Sequence, residues 1–436
     1  MILNHPECDP NVMTKHGTAL HLILHEENTL EFDKRCDIIK CLIDHPNVDV
    51  NLGDNKHPPL YRICTSNISN EVLPAFLSRK DLDINIKFGE LEETVLTHFC
   101  KEGFYSEYVC RTLIQDPRCD INTETNEGTP LYVAIDQIKA IDQNRFSAAL
   151  ALAESKRIHI NAGKGTQSPL CSAVMKIKNE GDIYDKIASK ILDHPEVDPN
   201  SECEHLGVTC LAYLVDSNLG GTESAKKLAS HLRFNIIAGN IAFKLIPKYN
   251  DLLKILIDNP AFGVNQRWSY KNETGAQRYL GDRQKETLTI YCAHYVQSLT
   301  DEYSEALKIL CSAGADLNLC EVTESDSTLM KLLRSSNMNR NFKADLEILN
   351  LIKFLLENGS DPNRPPHTLA FAVNNCPVDV CKLIIENAAN PDRCFRTDDK
   401  MIVNSEDNID SLYKNLHIGS KETALHTAYR VGSPKK

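Results

Sequence analysis

The chain has 436 residues, 42% of them hydrophobic and 25% charged, with a formal net charge of −12. That is an ordinary balance for a folded chain with a sizeable core, and its acidic sign works against non-specific binding to nucleic-acid phosphates. Met1-Ile2-Leu3-Asn4-His5-Pro6-Glu7 lacks the basic and apolar regions of a secretory signal. No apolar run approaches the ~20 residues of a membrane span, so the expected location is cytoplasmic or nuclear.

Internal repetition overrides the two to four domains that length alone suggests. Leu42-Ile43-Asp44-His45-Pro46-Asn47-Val48-Asp49-Val50-Asn51 returns as Leu192-Asp193-His194-Pro195-Glu196-Val197-Asp198-Pro199-Asn200. Weaker copies end at Asn11, Asn85, Asn122, Asn161, Asn265, Asn318 and Asn363. From Asn11 to Asn200 the spacings are 40, 34, 37, 39 and 39 residues. Each copy precedes a helix start of the type Thr-x-Leu, the clearest being Gly128-Thr129-Pro130-Leu131-Tyr132-Val133-Ala134. In it the Thr caps, Pro suits the first helical position, and Leu and Ala share one apolar face. A second helix follows, such as Cys36 to Ile43, and Pro46 stops it. Asp and Asn then favour a turn.

Further starts are Thr18-Ala19-Leu20-His21, Thr94-Val95-Leu96, Ser168-Pro169-Leu170-Cys171, Thr209-Cys210-Leu211, Thr287-Leu288, Thr328-Leu329, Thr368-Leu369 and Thr423-Ala424-Leu425. Between Asn200 and Asn265 the register is disguised: Ile237 stands in the Asn position, Asn240 to Phe243 opens a compact unit, and Leu252 to Ile257 is its second helix.

The pattern resembles the ankyrin repeat, whose period is ~33 residues with a Thr-Pro-Leu-His-x-Ala start. Leu307 to Asn318 and Phe354 to Asn363 look like that family's second helix, glycine turn and hairpin. The resemblance covers roughly residues 1 to 430 and implies an all-α ankyrin-repeat solenoid of about ten helix-turn-helix repeats with short hairpin loops. It divides the chain into repeats over 1–265 (a first half-repeat plus about seven), an extended finger insert at 266–286, repeats over 287–392, a polar insert at 393–422 and the start of a last repeat at 423–436. A loop from Arg334 to Phe342 lengthens one repeat, and Ile409 to Leu416 is a candidate ordered piece of the polar insert. Because array ends need polar caps, the chain reads as a fragment of something longer, or as a native start at Met1. Its long, degenerate repeats are similar to those of ankyrin proteins that intracellular bacteria deliver into host cells.

The resemblance implies protein–protein recognition by a concave groove and fingers, with the partner's identity open. The finger holds the only Trp of the chain, and Arg267, Trp268, Tyr270, Arg278, Tyr279 and Arg283 are the expected partner-binding residues, of types enriched at interface hot spots. A finger folded back on its own repeats, burying Trp268, is the alternative. In the family, asparagines with a Leu eight residues upstream can be hydroxylated by a cytosolic enzyme; Asn85, Asn318 and Asn363 meet that rule, although a plain hairpin role accounts for them too.

No catalytic residue, cofactor site or metal site is expected. His21 and His25 lie four apart, but no glutamate completes a zinc-protease motif, and His5, His45 and His194 read as turn residues beside helix ends. Sixteen cysteines contain no Cys-x-x-Cys pair. They read as reduced structural thiols, with Cys41, Cys110, Cys311 and Cys381 in apolar helical runs, in preference to metal binding or a redox role. Cys100, Cys203 and Cys292 lie near histidines in sequence, which by itself makes no nucleophile. The alternatives to a binding scaffold are an enzyme, through a domain outside this chain or a hidden thiol site, and a structural spacer.

Overall fold

The computed structural model describes residues 5, 8–25, 30–53, 57–90, 92–103, 106–138, 143–203, 206–235, 241–246, 248–269, 285–296, 300–320, 326–337, 346–365 and 367–387. Among them are twenty helices and six two-residue strands, an all-α fold. None of these helices is long and apolar enough to cross a membrane. The chain divides into two compact units, Met1–Leu228 and Ala229–Lys436.

In the first unit consecutive helices pack in pairs: α1 (Ala19–Leu24) on α2 (Phe32–Asp44), α3 (Pro59–Thr65) on α4 (Ser69–Leu77), α5 (Val95–Glu102) on α6 (Glu107–Gln115), α7 (Pro130–Gln137) on α8 (Gln143–Glu154) and α9 (Pro169–Glu180) on α10 (Asp182–Leu192). The last members are α11 (Cys210–Asp216) and α12 (Glu223–Ser230), in which the division falls. First helices also pack on first helices (α5 on α7, α7 on α9, α9 on α11) and second on second (α2 on α4, α4 on α6, α6 on α8, α8 on α10), giving two rows. Two antiparallel hairpins project between pairs, β1 (Lys87–Phe88) with β2 (Glu93–Thr94) and β3 (Glu202–Cys203) with β4 (Val208–Thr209). Single bridges Thr14–Gly17, Thr125–Gly128 and Lys164–Gln167 mark the same place in other repeats.

The first helices of this unit span six to twelve residues. Lengths up to about twelve are marginal in isolation, so capping and packing hold them. The side-chain oxygens of Thr94, Thr129, Ser168 and Thr209 accept from the backbone N–H three residues on, each contributing about 1 kcal/mol. Pro130 and Pro169 start their helices without losing an intrahelical bond. The rows close over fully buried Ile39, Ile43, Ile63, Leu73, Phe76, Phe99 and Tyr184. The Tyr184 hydroxyl donates to Ile138 O at 3.0 Å, so its polar end is satisfied.

The Asp-x-Asn motif acquires a physical meaning at the turns. The Asn51 carboxamide donates to Asp81 O at 2.7 Å and accepts from Asp83 N–H at 2.7 Å. Asn11, Asn85, Asn122 and Asn161 make the same two bonds to the next repeat. The Asp of the motif folds its own turn: Asp49 Oδ1 accepts from Asn51 N–H at 2.9 Å. Arginines add a second tie. Arg79 donates to Ile43, His45 and Val48 carbonyls; Arg118 to Leu77 and Arg79; Arg157 to Ile114, Asp116, Pro117 and Cys119. Each satisfies carbonyls at the end of the preceding second helix and in its turn.

In the second unit α13 (Ile241–Leu245) packs on α14 (Asn250–Ile257), α15 (Leu288–Tyr295) on α16 (Thr300–Ser312), α17 (Thr328–Asn337) on α18 (Leu346–Glu357) and α19 (Thr368–Asn375) on α20 (Val378–Glu386). Between α14 and α15 lies the antiparallel pair β5 (Trp268–Ser269) with β6 (Lys285–Glu286). Two expectations are adjusted. Arg334 to Asn337 is helix rather than loop, because the apolar spacing Leu329, Met330, Leu332, Leu333 carries α17 onward. Cys41 is exposed and Cys311 half-buried, on the outer flank of their helices, unlike buried Cys110 and Cys381. The polar stretch 393–422, including Ile409 to Leu416, and the helix start at Thr423 lie outside the described residues.

Candidate functional site

The finger expected at 266–286 begins and ends as a hairpin, with Trp268 opposite Glu286 and Ser269 opposite Lys285. Arg267 is exposed, and its guanidinium donates to Cys320 O at 2.8 Å, which ties the finger base to the next repeat's turn. Tyr270, Arg278, Tyr279 and Arg283 lie outside the described residues. The finger returns directly into α15, capped by Thr287, whose hydroxyl accepts from Ile290 N–H at 3.4 Å.

On α15 and its partner helix sits a cluster of rings that the sequence reading did not single out. Tyr291 meets Phe243 edge-on at 4.6 Å between centroids and Tyr295 at 4.8 Å. Tyr295 stacks on Tyr303 at 5.7 Å, and His294 meets Tyr295 at 4.7 Å. Tyr291 and Tyr295 are half-buried and His294 exposed. Burial pushes the Tyr291 phenol far above its ordinary range, so it stays a neutral donor.

The first unit carries a counterpart on first helices and a hairpin. His57 stacks on Tyr61 of α3 at 4.3 Å; Tyr61 lies 5.2 Å from Phe88 of β1 and 5.2 Å from His98 of α5. All four rings are half-buried. Beneath them Glu93 accepts from Lys101 at 3.0 Å and pairs with the His98 imidazole at 3.0 Å, and Lys101 also reaches Glu127 at 3.2 Å. Burial raises the Glu93 carboxyl, but the His98 and Lys101 hydrogen bonds outweigh it and hold it below the usual range.

Sequence reading also passed over a set of three thiols. Cys171 on α9, Cys203 on β3 and Cys210 at the start of α11 bring their sulfurs within 4.8 Å of one another, all buried. Cys171 and Cys210 Sγ are 3.0 Å apart, and the Cys210 thiol lies 3.4 Å from Ser201 O. Hydrogen bonds from Cys203 and then Cys210 draw the Cys171 thiol down to about 4. In return Cys171 pushes Cys203 up to about 12 and Cys210 well above the thiol range. Register held the signal: Cys171 occupies the third helical position where other repeats carry His21 or Tyr132, and Cys210 the first position of the following repeat.

Asn85, Asn318 and Asn363 lie half-buried in the turns. The Asn85 and Asn318 carboxamides are engaged on both atoms with the next repeat. The histidines of the turn are structural as well. The Nδ1 atoms of His45 and His194 accept from the N–H two residues on, both at 3.3 Å, and His21 Nδ1 lies 2.9 Å from Thr18 Oγ1 inside the core. Cys100 and Cys292 are fully buried and burial raises both thiols, the opposite of an activated nucleophile.

No protein-family model matches the chain, and no curated protein matches it.

Proposed function

We propose that this chain is an ankyrin-repeat array with no catalytic activity, working as a scaffold that grips a protein partner. The observation that carries the proposal is the placement of half-exposed rings on first helices and hairpins. Tyr61, Phe88 and His98 lie there in the first unit, and Tyr291 and Tyr295 on α15, directly after the finger. Aromatic side chains with one face packed and one open bring large contact area at low entropic cost. The two-bond asparagine ties support the repeat reading, because each unit leans only on its neighbours. Reduced host cytosol is the setting we propose, from the style of the repeats and the many buried thiols.

The test is affinity capture from cytosol with three chains: intact, lacking residues 270–284, and carrying Tyr61→Ala with His98→Ala. Loss of the same captured protein from either altered chain, with helicity unchanged by circular dichroism, is expected. Capture that is identical for all three sinks the ring-and-finger surface and leaves the spacer reading.

A further inference from the structure

We propose that Cys171, Cys203 and Cys210 form a buried binding site for one thiophilic d10 metal ion, Cu(I) or Zn(II). The inference is independent of partner recognition. Its first support is convergence: one sulfur comes from the first turn of a helix, one from a hairpin and one from the next repeat's helix, yet all lie within 4.8 Å. The second is reach: with metal–sulfur bonds of ~2.3 Å the sulfur–sulfur edges must be about 3.8–4.0 Å, and three sulfurs already within 4.8 Å of one another, the nearest pair 3.0 Å apart, come to it with shifts of about 1 Å.

The third support is burial: Cys171, Cys203 and Cys210 are 0–1% exposed, which keeps water and other oxygen ligands away from an ion they hold. Metal uptake is a proton exchange: three thiols bind M(I) or M(II) and release the protons they still hold, with no change in oxidation state. The donor set is all sulfur, which selects soft ions. Three ligands suit trigonal Cu(I) directly, whereas Zn(II) prefers a fourth.

The experiment uses the full chain, reduced and stripped with a chelator. Zn(II) is titrated against a chromophoric zinc chelator, and Cu(I) against bicinchoninate. Sixteen cysteines make site specificity the issue, so each titration is repeated with Cys203→Ser, Cys203→Ala and the control Cys292→Ala, a buried thiol outside the cluster. Expected is one equivalent held by the intact chain and by the control, with affinity at least about 100-fold lower in both Cys203 variants, since even outer-shell changes cost 10–100-fold. Retention of Cu(I) alone or of Zn(II) alone identifies the ion and supports the site. Equal retention by the Cys203 variants, or no equivalent held by the intact chain, overturns it. Protection of Cys171 and Cys210 from alkylation by added metal, read by mass spectrometry in the intact chain, keeps the test decisive should both Cys203 variants unfold.

Discussion

The asparagine ties of the first unit and of the second do the same work across different lengths of chain. In the first, Asn51 reaches residues 30 and 32 positions on, and Asn122 reaches 35 and 37. In the second, Asn265 accepts from Asp316 N–H at 2.7 Å across 51 residues, a span that contains the whole insert 266–286. Asn318 then donates to Gly359 O and accepts from Asp361 N–H at 2.8 and 2.7 Å, 41 and 43 residues on. The bond geometry is constant while the intervening length varies by about twenty residues. Register is therefore set where the turns touch, and the loop entropy of a longer insert, growing only logarithmically, is too small to move it. That is how a finger can be enlarged without disturbing the frame that presents it.

The most direct way to break this equivalence is to remove one carboxamide from each unit. Asn85→Ala strips both bonds and leaves Arg118 C=O and Asp120 N–H to water. The expected loss is about 2–3 kcal/mol in urea denaturation, with faster amide exchange at Asp120. Asn318→Ala should cost the same within roughly 0.5 kcal/mol if loop length is immaterial. A negligible effect at Asn318 would show that the longer connections of the second unit make its ties ornamental.

Acid separates the units by a different route. Burial, and then the Arg334 charge, lower His367 of the second unit to about 4. An unfolded histidine titrates near ~6.5, so between that value and about 4 the unfolded chain binds more protons than the folded one. Stability of the second unit should fall as pH drops through that window, by about 3 kcal/mol, and level off below it. The carboxylates lowered in the first unit are Asp81, bound by Arg79; Asp116, bound by Arg118; and Glu93, where His98 and Lys101 override burial. Their contribution is present above the ordinary carboxylate range and lost as pH falls below it. Hydrogen exchange at pH 7, 5 and 3 should show the second unit loosening first. His367→Phe, which cannot take a proton, should abolish that early step.

A smaller effect is expected from the arginine ties, which the described residues show most fully in the first unit. Arg157→Met keeps the aliphatic stem but drops four carbonyl contacts. The guanidinium is exposed, so charge adds little and the loss should be about 1–2 kcal/mol. Arg157→Lys should recover less than half, because a point ammonium cannot span carbonyls that a planar fork reaches together. Full recovery by Lys would mean that charge, not fork geometry, makes the tie.

How much of this was legible in the sequence follows from what periodicity can and cannot carry. Helix positions came through because Thr or Ser, Pro and Leu recur with their caps intact, as at Thr129-Pro130-Leu131. The break in register at 266–286 was legible because about twenty residues of excess interrupt a measured spacing. The ring clusters did not, because Tyr61, Phe88 and His98 are unremarkable singly and meet only when two repeats stack. The thiol cluster was missed for the same reason. Its members are 32 and 7 residues apart along the chain, and adjacency in sequence was the wrong metric for them.

The turn histidines mark the small end of the comparison. His45, His194 and His231 each accept through Nδ1 from the N–H two residues on. At the equivalent turn position Asp116, Ser155 and Asn259 accept the same kind of N–H through an oxygen, at 2.9, 3.4 and 3.0 Å. Four residue types thus perform one task, and what the position requires is a short-range acceptor. His45→Asn should therefore change stability by less than about 0.5 kcal/mol, while His45→Ala, which leaves the Asn47 N–H to solvent, should cost about 1 kcal/mol. A large loss on His45→Asn would show that the imidazole does something an amide oxygen cannot, and would give these histidines a role beyond the turn.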